Sequence, residues 1–140
     1  MQFLELRHLS PYLPYKLKVV EDGKIKVMNA YSGHSTYWVG LELVIKQKGN
    51  IKPILRPLTD LTKEIEINGE KFVPTEWLEE KYYTLDLHDQ CLRLLEEDGE
   101  NWINQCDYML VEHLLEWHFD IFSLIPNELA IDINTTKTIQ

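Results

Sequence analysis

The sequence predicts an α+β fold in one domain spanning 1–140, with N-terminal antiparallel hairpins packed on C-terminal helices. Three observations carry that expectation. Asp22-Gly23 and Asn68-Gly69 each separate two short runs rich in apolar residues, and such pairs accept the positive φ of tight hairpin turns. The stretch 102–125 repeats apolar residues every three or four positions, with Leu110, Leu114, Trp117, Ile121 and Ile125 on one side. Strands come first and helices later, without the alternation of a parallel α/β chain.

In chain order, Phe3, Leu6 and Leu9 predict a short helix over 3–12, and Pro11 and Pro14 an extended entry into the next segment. A hairpin over 17–28 then places Leu17 opposite Met28 and Val20 opposite Ile25, with lysines on both faces as suits a sheet edge. Residues 32–35 read as a loop, 36–47 as one or two strands around Gly40, and 48–50 as a turn. Pro53 and Pro57 argue against 51–58 being a central strand throughout. A two-turn helix capped near Thr59 precedes the hairpin at Asn68-Gly69, where Ile65, Ile67 and Phe72 share a face and Glu66 sits opposite Lys71. Thr75 is a cap candidate for the next helix, with Trp77 and Leu78 inward. A further helix buries Leu87, Cys91, Leu94 and Leu95 and ends at Gly99. The long helix over 103–125 stops at Pro126, 129–134 alternates like a strand, and the last residues fray.

Composition bounds the function. With 44% hydrophobic and 26% charged residues, the chain has enough apolar surface for a real core. The net charge of −9 is uneven: 1–57, the more β-rich and basic part, holds nine basic and four acidic residues, whereas 58–140 holds five basic and nineteen acidic ones. The helical, acidic character is strongest in 75–125. The total disfavours bulk nucleic-acid binding and leaves a local basic surface on the first half. Polar residues interrupt 102–125 too often for a membrane span, and the N-terminal MQFLELRHLSPYLPYK lacks the layout of a secretory signal. A cytoplasmic protein with Cys91 and Cys106 as reduced core thiols is the expectation.

The blocks KPILRPLTDLTKEIEINGEKFVP (52–74) and EWHFDIFSLIPNELAIDIN (116–134), with LSPYLPYKLKV (9–19), resemble a family of small uncharacterised proteins encoded by phages and prophages of Bacteroidetes. The resemblance covers a little under half the chain and leaves roughly 76–105 aside. It implies a phage-linked accessory protein acting inside a bacterial host cell, and brings no activity, cofactor or site residues.

Chemical motifs are sparse. His88 and Cys91 share a helix face, but Cys106 and His113 are seven apart, about 10.5 Å along a helix at ~1.5 Å per residue. That is too far for joint ligation of one zinc, so no metal site is expected. Glu112, His113, Glu116, His118 and Asp120 are dense enough for acid–base work, yet they read first as the wet face of an amphipathic helix. The isolated glycines make no phosphate loop, and no nucleophile elbow is present, so no catalytic residue and no cofactor are assigned.

What remains is a basic and aromatic surface. His34, Tyr37, Trp38, Lys52 and Arg56 form the candidate ligand- or partner-binding set, in which aromatic planes and cations stack on and neutralise a ligand; the structural alternative, which weighs more, is a sheet face with edge lysines. Arg56 stands out because a guanidinium grips phosphate or carboxylate with paired hydrogen bonds; its structural alternative is to cap a helix end or pair with an acid. The leading functional expectation is an accessory protein that binds a host or phage protein as adaptor or inhibitor, with self-association into a homo-oligomer among the outcomes. A nucleotide-binding sponge countering a host immune signal is the second reading, and an enzyme using 112–120 the third and least favoured.

Overall fold

The hairpin chemistry of the first segment produces β1 (Leu17–Glu21) and β2 (Lys24–Met28), which pair antiparallel with Leu17 opposite Met28 and Val20 opposite Ile25. Gly23 takes φ +79° at the turn, which a side chain would resist. The computed structural model describes residues 4–21, 23–28, 51–96 and 99–138. The expected loop, strands and turn over 32–50 fall in a stretch outside the described residues. Helices and strands are both present, and the fold is α+β. The chain forms two compact units, one from Met1–Leu55 with Leu124–Gln140, the other from Arg56–Ser123.

The first unit is built on a four-stranded sheet in the order β2-β1-β3-β6, where β3 is Ile51–Leu55 and β6 is Ile131–Asp132. Leu17 and Val19 of β1 are fully buried and the intervening Lys18 is exposed, the alternation that a one-sided sheet requires. Among the described residues β2 lies at an edge of this sheet, where its exposed Lys24 and Lys26 discourage further pairing. Two expectations change here. Helix α1 is confined to Leu6–Leu9, and Ser10–Tyr15 winds as a 3-10 helix instead of an extended entry. The proline φ that favours an extended chain also suits a tight helix, and Pro11 sits in its first turn, where a missing N–H costs little. β3 has neighbours on both sides despite Pro53: Pro53 registers with Val19 of β1, and the parallel pairing to β6 starts only at Ile54. The strand stops at Leu55, before Pro57.

At the far end of this unit, Leu129 N–H donates to the Leu124 carbonyl and Glu128 N–H to that of Ile125, with Glu128 at φ +62°. This compact turn leaves only Ile131–Asp132 of the expected 129–134 strand, and Ile133–Thr138 continues as a 3-10 helix with Thr136 buried.

The second unit begins with a 3-10 helix at Leu58–Thr62, shorter than the expected α-helix and without a Thr59 cap. Pro57 holds the cap position in extended conformation, and Ile65 is already committed to the following hairpin. That hairpin, β4 (Ile65–Ile67) and β5 (Glu70–Phe72), has the expected register, Ile65 opposite Phe72 and Glu66 opposite Lys71. Asn68 at φ +52° and Gly69 at φ +85° make the turn primed. Helix α2 (Pro74–Lys81) starts on Pro74 itself, so Thr75 is a buried first-turn residue and not its cap. Helix α3 (Leu87–Glu96) buries Leu87, Cys91 and Leu94, with Leu95 half-buried, and packs with α2 over the 3-10 segment. Gly99 opens the short helix α4 (Gly99–Trp102) instead of closing α3.

The largest correction concerns 103–125. Ile103–Gln105 is a 3-10 turn, α5 runs only Tyr108–Glu116, and the rest is turns. Leu110, Leu114 and Ile121 are buried as the periodicity requires. The helix nevertheless ends in a Schellman motif: Phe119 N–H donates to the Leu114 carbonyl at 2.8 Å and His118 N–H to that of Leu115 at 3.0 Å. His118 supplies the left-handed residue, φ +61°, a role in which histidine is tolerated better than branched side chains. Among the described residues no helix is long and apolar enough to cross a membrane.

Candidate functional site

Of the residues marked by the sequence, His34, Tyr37 and Trp38 lie outside the described residues. Lys52 is half-buried on β3, in register with Val20. Arg56 is 9% exposed and belongs to the second unit, where the segment after α5 closes around it. Its N–H donates to the His118 carbonyl at 2.7 Å, and its carbonyl accepts from Asp120 N–H at 2.8 Å, a parallel bridge across Phe119. Its Nε donates to the Trp117 carbonyl at 3.3 Å, and the guanidinium lies 5.9 Å from the centre of the Phe119 ring. These contacts give Arg56 a place at a helix end, where a cation complements the exposed carbonyls.

The convergence of chemistry-bearing side chains in the second unit is elsewhere. Hairpin β4–β5, α2 and α5 bring Phe72, Trp77, Tyr82, His113 and Trp117 together. Trp77 meets both Trp117 and His113 edge-on, with centroids 5.1 and 5.0 Å away, while His113 stacks on Trp117 at 5.1 Å. These are the offset and T-shaped arrangements that aromatic quadrupoles favour. Trp117 is buried, and the other four are half-buried, so the cluster has a dry floor and an accessible rim. Tyr82 closes α2 and places its hydroxyl 2.9 Å from His113 Nε2. Lys81 Nζ sits over the faces of Trp77 at 4.7 Å and Tyr82 at 5.7 Å.

Electrostatics on this cluster keep the imidazole neutral. Burial among the rings lowers the His113 pKa below 6.5, and Lys81 works in the same direction, against the opposing pull of Glu116 and Glu112. His113 Nδ1 is sequestered from solvent and approaches Glu116 Oε2 at 3.5 Å without hydrogen-bond geometry. The Tyr82 hydroxyl and His113 Nε2 share one hydrogen bond at 2.9 Å, whose direction follows the imidazole tautomer.

In the same unit, three large side chains stand in solvent. Tyr83 is 82%, Tyr108 77% and Met109 39% exposed. They sit on elements that are locked together. Tyr82, next to Tyr83, holds His113, which lies one turn along α5 from Met109. The Gln90 amide clasps Asp107, donating to its carboxylate at 2.8 Å and accepting from its N–H at 2.9 Å, which fixes the start of α5 against α3. Glu112 and Glu116 are exposed on the same helix as Tyr108 and Met109.

The remaining chemical groupings come apart. Glu112 and Glu116 are exposed on α5, whereas Asp120 is buried beyond the helix end, so the three carboxylates do not form the single array that their spacing implies. Cys91 is fully buried and Cys106 half-buried with its thiol 3.8 Å from the Trp102 carbonyl. Burial pushes their pKa values up to about 12 and about 11, which keeps both as thiols. Among the described residues no three His, Cys, Asp or Glu side chains converge as metal ligands would.

Sequence reasoning turned Trp77 inward but missed the cluster around it. The spacing of Trp77 and Lys81, four apart on one helix, signals part of it; the meeting of Tyr82 with His113, 31 residues apart, leaves no local trace. Fold and site together define an α+β protein whose acidic helical unit carries an aromatic cluster and, on the elements that build it, exposed tyrosine and methionine side chains. Comparison with protein-family models, with curated proteins and with solved structures returns no match.

Proposed function

We propose that the protein works by binding another protein, with the exposed side chains of Tyr83, Tyr108 and Met109 as the docking residues. In the phage setting implied by the resemblance, it is an accessory protein that engages a host factor as adaptor or inhibitor. The observation that carries this reading is the exposure of those three side chains on a scaffold clamped by Tyr82–His113 and Gln90–Asp107. Tyrosine and methionine suit interfaces because they bring large contact area with adaptable packing. A scaffold already fixed limits the ordering cost of association.

Charge selects the class of partner. Residues 56–123 hold five basic and seventeen acidic residues, so the unit repels phosphate and attracts a basic surface. A protein partner is therefore favoured over a nucleotide on this unit. The test compares the wild type with a Tyr83→Ser/Tyr108→Ser variant in quantitative capture from host cells, alongside thermal melts. A stoichiometric partner lost by the variant at an unchanged melting temperature supports the reading. Equal recovery by both proteins overturns it.

A further inference from the structure

The structure assigns the ring faces of Trp77 and Tyr82 as a seat for a partner's arginine side chain, a seat that Lys81 occupies in the free protein. The argument starts from α2. Trp77 and Lys81 are four residues apart and Tyr82 follows directly, so the helix end folds one cation over two rings, at 4.7 and 5.7 Å. Lys81 adjoins Glu79 and Glu80 in sequence, yet among the described residues it makes no ion pair, and its ammonium rests on the rings alone. Lys81 itself is exposed, and an exposed cation–π contact is weak enough to exchange.

The rings will not leave with it. Trp77 is held from behind by Phe72, His113 and Trp117, and Tyr82 is held by its hydroxyl on His113. A preformed pair of aromatic faces therefore remains when Lys81 swings away. The better occupant is a guanidinium, which is planar, less strongly hydrated than an ammonium and able to stack on a ring. Exposed Glu79 and Glu80 on α2, with Glu112 and Glu116 on α5, set a field that draws a cation toward this part of the unit. Lys81 is thereby an internal competitor that keeps the seat closed to weakly held cations.

That the arginine belongs to a protein rests on the proposed docking function, but the seat can be tested without the partner. The probe is a short glycine–arginine peptide, titrated into the full chain by NMR beside its citrulline counterpart, which keeps shape and loses charge. The expected result is that the arginine peptide shifts the Trp77 and Tyr82 ring resonances first and the citrulline peptide does not. Lys81→Met should bind the arginine peptide roughly two- to five-fold more tightly, the equivalent of one exposed cation–π contact. Lys71→Met, which makes the same charge change on β5, should leave affinity where it was. Equal tightening in the two variants, equal binding of the citrulline peptide, or shifts spread over the acidic surface would reduce the seat to general attraction and overturn it. Tyr83→Ser/Tyr108→Ser should retain peptide affinity, so unimpaired partner capture by that variant sinks the docking proposal and leaves the seat standing.

Discussion

Arg56 Nε donates to the main-chain carbonyl of Trp117 at 3.3 Å, so a residue preceding the first helical turn of its unit closes the end of that unit's last helix. The carbonyl is one of those that a helix terminus leaves without intrahelical partners, and it lies at the negative end of the helix dipole. Replacing Arg56 with Gln should therefore cost about 1.5–3 kcal/mol of stability, the range for a hydrogen bond to a charged group. Lys should not restore it, since an ammonium cannot reproduce the Nε geometry and the stacking over Phe119 together. Urea denaturation of both variants decides the matter. A wild-type midpoint in Arg56→Gln would show that the Trp117 contact contributes little and would favour Arg56 as a ligand-binding residue.

His118 tests the helix end from the backbone side. At φ +61° an L-residue pays a steric cost that glycine does not. Compared with His118→Ala, which removes the same side-chain contacts, His118→Gly should be more stable by about 1 kcal/mol, and His118→Val should be the least stable of the three. The order Ala above Gly in thermal melts would contradict the left-handed cap.

The pH dependence of folding should carry the signature of His113. Its pKa is depressed in the folded state, chiefly by burial, so the unfolded chain takes up the proton first as pH falls. Stability is unaffected by this group above pH 6.5, declines as pH drops through that value, and levels once pH passes the lower folded pKa. Denaturation curves at descending pH should show a steeper acid loss in the wild type than in His113→Gln. Parallel profiles would assign the acid sensitivity to other groups.

Both cysteines should resist modification. Their raised pKa values leave almost no thiolate at neutral pH, and Cys91 has no exposed surface. In iodoacetamide labelling followed by mass spectrometry, the folded protein should react slowly at Cys106 and more slowly still at Cys91, with the difference erased in urea. Rapid labelling of Cys91 without denaturant would contradict its burial.

How far the sequence could be read depended on the range of the forces involved. Asn68-Gly69 states its own turn geometry, so the register of Ile65 with Phe72 was readable from eight adjacent residues. The spacing of Leu110, Leu114 and Ile121 correctly marked buried positions, but it could not say where the helix stops. The stop is made by His118 taking a left-handed conformation and by 118–120 hydrogen-bonding to Arg56, more than sixty residues earlier. Tertiary pairing there overrides a helical period that continues through Ile125. Lys52 and Arg56 were legible as cations, whereas the aromatic cluster needed α2 and α5 to be placed side by side before it became visible.

The parallel pairing of β6 with β3 has a consequence for biosynthesis. The unit Arg56–Ser123 is one continuous segment, whereas Ile54 and Leu55 must wait for residues 131 and 132 to be translated before their parallel partner exists. During that interval the nascent chain exposes an apolar strand edge, the kind of surface on which neighbouring polypeptides add strands and aggregate. Pro53 stands immediately before that open edge and offers no N–H to an intruding strand. The proline that limits β3 as a central strand thereby narrows the edge open to such pairing until Ile131 and Asp132 are made.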